Sequence, residues 1–201
     1  MSERLFANIL IQPASCKRDS LVYGSAHARL IKERVVNEIT QLAAQLGRRL
    51  QVLNAHVSTA ESCTGGGIAE AITRIAGSSA WFEAGYVTYS NRQKTQQLNV
   101  PAELFTEVGA VTREVVEAMV RGAQHKSRAR FAVAVSGIAG PDGGTSNKPV
   151  GTVWLAWGIG DAVYSECRHF PGNRGEVRRQ TVKAALEGLL QYTAGEISNE
   201  G

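Results

Sequence analysis

The sequence is poor in the residues that build metal centres and disulfide frameworks. Cysteine occurs three times, at Cys16, Cys63 and Cys167, an odd number with no C-x-x-C pair, which argues against a disulfide scaffold or a zinc knuckle. The four histidines, His27, His56, His125 and His169, are scattered without the paired spacing of a metal site, so no metal and no cofactor is expected. Long apolar runs are also missing: nothing approaches the ~20 residues of a membrane span, and no membrane association is expected. Neither charge sign dominates, with 22 Lys and Arg against 18 Asp and Glu. That balance, without a helix-turn-helix signal, a basic tail or interleaved aromatics, gives no reason to expect a nucleic-acid partner. Unpaired cysteines make a reducing cytoplasm the simplest location.

What remains is an ordinary globular composition. The 201 residues are 43% hydrophobic and 20% charged, which suits one domain able to bury its own core. Residues 1–28 read as a poorly ordered extension and 29–196 as the domain. Within the extension, Leu5 to Ile11 behind Arg4 loosely resembles a leader, but it is short, holds Asn8 and runs into Pro13.

Hydrophobic periodicity then alternates between helix and strand. Leu30, Ile31, Val35, Ile39, Leu42 and Leu46 recur at helical spacing, and Gly47 is expected to end that helix. His56 to Ala60 reads as a strand, broken by Ser62-Cys63-Thr64-Gly65-Gly66-Gly67 before helical spacing returns at Ile68, Ala71 and Ile72. Phe82 to Tyr89 is a second strand leading into a helix capped at Ser90-Asn91, and Pro101 opens a short helix. Thr112 is placed to cap a longer helix, and Phe131 to Val135 is an apolar run of the kind covered on both faces. Val150 to Ile159 and Ala162 to Phe170 pair as a hairpin through Gly160-Asp161, and a last helix spans about Asn173 to Tyr192. This order predicts an α/β fold, a three-layer α/β/α sandwich with a mixed sheet, whose binding crevice lies at the carboxyl ends of the strands.

Four segments carry residues suited to chemistry. Ser62 precedes the expected helix, where the N–H groups of Cys63, Thr64 and Gly65 and the free donors of the helix could hold an oxyanion; the same pattern also serves simple helix capping. Lys94 falls one turn into a helix and acts as a base only if burial or a nearby cation lowers its pKa; otherwise it is a solvated charge. The loop Gly140-Pro141-Asp142-Gly143-Gly144 allows close backbone approach to a ligand or is only a connection. Arg174 and Arg178, spaced i, i+4 at the start of the last helix, oppose its dipole and could fork onto a phosphate; otherwise they are a solvated basic patch partly offset by Glu176.

Taken together, Ala60-Glu61-Ser62-Cys63-Thr64-Gly65-Gly66, Ala76 to Phe82, Val87-Thr88-Tyr89-Ser90-Asn91 with Lys94, Ser136 to Gly144 and Pro149 to Trp154 resemble the CinA C-terminal domain family. The resemblance covers about residues 30–195. It implies hydrolysis of nicotinamide mononucleotide, a small-molecule substrate, to nicotinic acid mononucleotide and ammonia. Carried onto this sequence, it implies Ser62 as nucleophile, Lys94 as its base and Tyr89 close to the reacting amide. Gly140, Asp142, Gly143, Arg174 and Arg178 would then bind substrate. A non-catalytic nucleotide-binding or regulatory module is the competing expectation, and a symmetric homodimer the default assembly.

Overall fold

A computed structural model describes residues 37–199; the extension expected over 1–28 lies outside the described residues. Helix α1 is described over 37–52, and Ile39, Ala43, Leu46 and Leu50 form its buried stripe. It continues through Gly47, where the sequence pattern places its end. A Cβ at Gly47 would meet the ring of Trp81, 2.6 Å away, so this glycine makes room for an indole rather than stopping a helix. The turn comes instead at Asn54, with φ of 44°.

The remaining elements are β1 (Val57–Glu61), α2 (Gly67–Thr73), β2 (Phe82–Val87), α3 (Asn91–Leu98), α4 (Leu104–Glu107), α5 (Arg113–Ser127), β3 (Phe131–Gly137), β4 (Thr152–Ile159), β5 (Ala162–His169) and α6 (Arg174–Asn199). They form a five-stranded sheet in the order β2-β1-β3-β4-β5. β1 runs parallel to β2 and β3, whereas β3, β4 and β5 pair antiparallel, giving the expected mixed sheet. The β4–β5 hairpin turns through Gly160 at φ of 56°.

Strand alternation sorts the core into two faces. Ala60, Ala132, Ala134 and Ala156 face Leu98 of α3 and Val116, Met119 and Val120 of α5. Small residues in the centre of the sheet let α5 lie close over it. On the other face Trp157 donates its indole N–H to the Ala185 carbonyl of α6 at 3.0 Å. α1 joins that layer through Arg74 to Thr40 and through the Lys183–Glu38 ion pair. Helices on both faces make three layers.

Where α3 crosses α5, Gly122 is buried, and a Cβ there would run into the Leu98 backbone. Gly122→Ala gains helix propensity of about 1 kcal/mol. The backbone obstacle cannot rotate away, so the variant is expected to lose a net 1–3 kcal/mol, at about the scale of overpacking, in urea unfolding.

Candidate active site

β1 is flanked by β2 on one side and β3 on the other, so the chain reverses direction across the sheet at β1. This is the point at which open α/β sheets form a crevice beyond the strand ends. Ser62 is the first residue past β1 and is largely buried; its N–H donates to Val135 of β3 at 3.1 Å.

Lys94 is brought to Ser62 from α3. The Ser90 hydroxyl caps α3 by accepting from the Gln93 N–H at 3.3 Å, which starts the helix early enough for Lys94 to fall in its first turn. The Lys94 side chain is 1% exposed, and its Nζ lies 3.0 Å from Ser62 Oγ and 3.2 Å from the Tyr89 carbonyl. Burial lowers its pKa from the ordinary 10.5, because a charged ammonium loses hydration there. The neighbouring thiol behaves oppositely: burial pushes Cys63 up to about 12, leaving it protonated and a poor nucleophile.

The donors around Ser62 differ from the simplest expectation. The Gly65 N–H is engaged by the Ser62 carbonyl at 3.0 Å, closing the turn, so it is not free for an oxyanion. Nor are the first N–H groups of α2 available, since those of Ile68 and Ala69 donate to the Glu61 carboxylate at 3.0 and 2.9 Å. Among the described residues, no backbone carbonyl accepts from the N–H groups of Cys63 and Thr64, which lie beside Ser62 as candidate donors.

Arg174 links the loop after β3 to Tyr89. Its guanidinium donates to the Gly140 carbonyl at 2.9 Å and to the Tyr89 hydroxyl at 2.8 Å. Tyr89 thus has its carbonyl on Lys94 and its half-exposed phenol on Arg174. Arg178 turns elsewhere, donating to the Thr64 carbonyl at 2.7 Å, and its Nε is buried without a partner. The two arginines therefore do not fork together. The α6 N-terminus is itself capped, as Asn173 Oδ1 accepts from the Gly175 and Glu176 N–H groups. Asp142 and Gly143 are exposed, and no hydrogen bond joins them to this cluster among the described residues.

Glu61 is the residue that sequence reasoning passed over. A lone acid at the end of an otherwise uncharged, buried strand was the available signal. Thr112 likewise sits at the start of α5 without capping it; its hydroxyl donates to the Gly109 carbonyl at 3.0 Å. Among the described residues, no group of three or more His, Cys, Asp or Glu lies together, and no helix is long and apolar enough to cross a membrane.

A mixed α/β sheet with a buried serine–lysine contact at the carboxyl end of its central parallel strand is the class of protein that these elements define. The chain belongs to the CinA C-terminal domain family, whose model matches residues 39–193. It is 72% identical over 156 residues to the nicotinamide-nucleotide amidohydrolase PncC of Pseudomonas putida, covering 78% of this chain and 98% of that protein. A CinA-like protein of Colwellia psychrerythraea is 48% identical over 82% of this chain, which spans 39% of its length. Among solved structures, the competence/damage inducible protein CihA from Agrobacterium tumefaciens superposes with a TM-score of 0.75 at 47% identity. That match covers 77% of this chain and 94% of the other.

Proposed function

We propose that the protein is a nicotinamide-nucleotide amidohydrolase that converts nicotinamide mononucleotide to nicotinic acid mononucleotide and ammonia through a serine–lysine pair. The observation that carries this reading is the 3.0 Å approach of Lys94 Nζ to Ser62 Oγ in a buried setting that lowers the lysine pKa. The name and 72% identity of the Pseudomonas putida relative supply the substrate class.

Ser62 Oγ attacks the carboxamide carbon as its proton passes to the neutral Lys94 amine. The Cys63 and Thr64 N–H groups hold the oxyanion of the tetrahedral intermediate. Lys94 then returns the proton to the departing nitrogen, and ammonia leaves an acyl-enzyme. Water, deprotonated by Lys94, attacks the ester carbon; collapse frees the carboxylate and restores Ser62. The pyridinium charge of the substrate draws electrons from the carboxamide and assists both attacks. Catalysis resides in the domain expected over 29–196. A cytoplasmic location belongs to the same reading, supported by two free thiols, Cys63 and Cys167.

The substrate phosphate gives Arg174 its part. Its guanidinium is anchored by two neutral acceptors, the Gly140 carbonyl and the Tyr89 hydroxyl, and the residue is exposed, so a phosphate can join the same fork. Ammonia release should be measured in parallel on nicotinamide mononucleotide, nicotinamide riboside and nicotinamide. Turnover is expected on the mononucleotide, with kcat/KM on the riboside lower by roughly 10–100-fold, the size of a charged hydrogen bond of about 1.5–3 kcal/mol. Arg174→Ala is expected to erase most of that preference through KM. No release from the mononucleotide, or equal rates on all three, would overturn the assignment.

A further inference from the structure

Glu61 is fully buried, yet the proposed chemistry gives it no part. A buried carboxylate costs several kcal/mol unless donors fill its oxygens. Here Oε1 accepts from the Ala69 N–H at 2.9 Å and the Thr59 hydroxyl at 3.3 Å. Oε2 accepts from the Thr64 hydroxyl at 2.6 Å and the Ile68 N–H at 3.0 Å.

Helix capping alone does not call for such an arrangement. A serine or aspartate at the N-cap of α2 would satisfy the same N–H groups, whereas that position is Gly66, at φ of 91° and without a side-chain cap. The cap comes instead from the strand side of the Ser62 loop. One carboxylate thereby ties the strand end, the loop and the helix start together, with Thr64 as the loop's point of attachment. Arg178 holds Thr64 from the other direction through its carbonyl.

We infer that Glu61, acting through Thr64, is a positioning residue that sets the Cys63 and Thr64 N–H groups where the oxyanion forms. This rests on the serine-nucleophile reading. The benefit is geometric, because a negative charge beside a developing oxyanion is unfavourable in itself. Simple removal of that charge would raise turnover if electrostatics ruled. Loss of positioning lowers it.

Glu61→Gln and Thr64→Val test the inference with two readouts: ammonia release from nicotinamide mononucleotide, and the rate at which a fluorophosphonate labels Ser62, followed by intact mass. Both variants are expected to lose about 10–100-fold in kcat, the scale of a 1 Å misplacement, and to label more slowly. KM should stay within about threefold, as expected when an interaction of the transition state alone is lost. Thr64→Ser, which restores the hydroxyl, should recover most of the turnover lost in Thr64→Val. If the folded variants keep wild-type kcat and labelling while only Tm falls, Glu61 is a helix cap and the inference is wrong. If the wild type labels at Ser62 but releases no ammonia, the substrate reading fails and the labelling rates decide the inference alone. A wild-type Ser62 that neither labels nor turns over removes both. Should Glu61→Gln fail to fold, Thr64→Val carries the same outcomes.

Discussion

Ser62→Ala is expected to lower ammonia release by a factor on the order of 10⁴ or more, the size seen when a hydrolase loses its nucleophile. The fold should survive, because the substitution removes one oxygen from a site whose backbone is fixed by the Ser62 N–H to Val135 and by the Gly65 N–H to Ser62. Lys94 keeps its bond to the Tyr89 carbonyl. Binding of nicotinamide mononucleotide, read by calorimetry, should change little, since the expected phosphate ligand Arg174 is anchored by Gly140 and Tyr89 rather than by Ser62.

Cys63 is the obvious candidate to rescue such a variant, being adjacent and intrinsically more nucleophilic. Burial argues against it. A thiol pushed up to about 12 stays protonated at neutral pH. Wild-type turnover in Ser62→Ala would therefore dismiss Ser62 as nucleophile without promoting its neighbour. Complete loss in both forms, with nucleotide binding retained, is the result that a non-catalytic nucleotide-binding module would give.

The parts of this site that sequence makes legible are those set by local rules. The strand, glycine turn and helix around Ser62 follow from period and turn chemistry, and so does the Ser90 cap that places Lys94 in the first turn of α3. The meeting of Ser62 with Lys94 is of another kind. It depends on β1 and β2 pairing in parallel and on which face α3 packs, facts set by the sheet rather than by either segment.

The misreadings have the same origin. Gly47 looks like a helix end until Trp81 is seen filling the space beside it. Arg178, one turn beyond Arg174, shares its expected face, but the Thr64 carbonyl lies within its reach and takes it. The α6 N-terminus seems to ask for an anion until Asn173 is found to cap it. Glu61 reads as one more letter of a motif because its partners are eight residues or fewer away yet come together only when the loop folds back.

Lys94→Arg is expected to abolish turnover even though it preserves the positive charge. A guanidinium stays protonated throughout the accessible pH range and has no lone pair to accept the Ser62 proton. Lys94→Met, closer in volume and uncharged, should be equally inactive and guards against the result being one of crowding. The wild-type pH profile supplies the sign. With the neutral amine as the proposed base, kcat/KM should rise with pH and level off above the pKa of Lys94 in the free enzyme. Burial stabilises the neutral form, so this limb should have its midpoint below the ordinary 10.5, bringing the free amine into use at lower pH than for an exposed lysine. Residual activity in either variant should lack the limb. An active Lys94→Arg enzyme that kept the wild-type profile would exclude lysine as the base and return the 3.0 Å contact with Ser62 to a structural hydrogen bond.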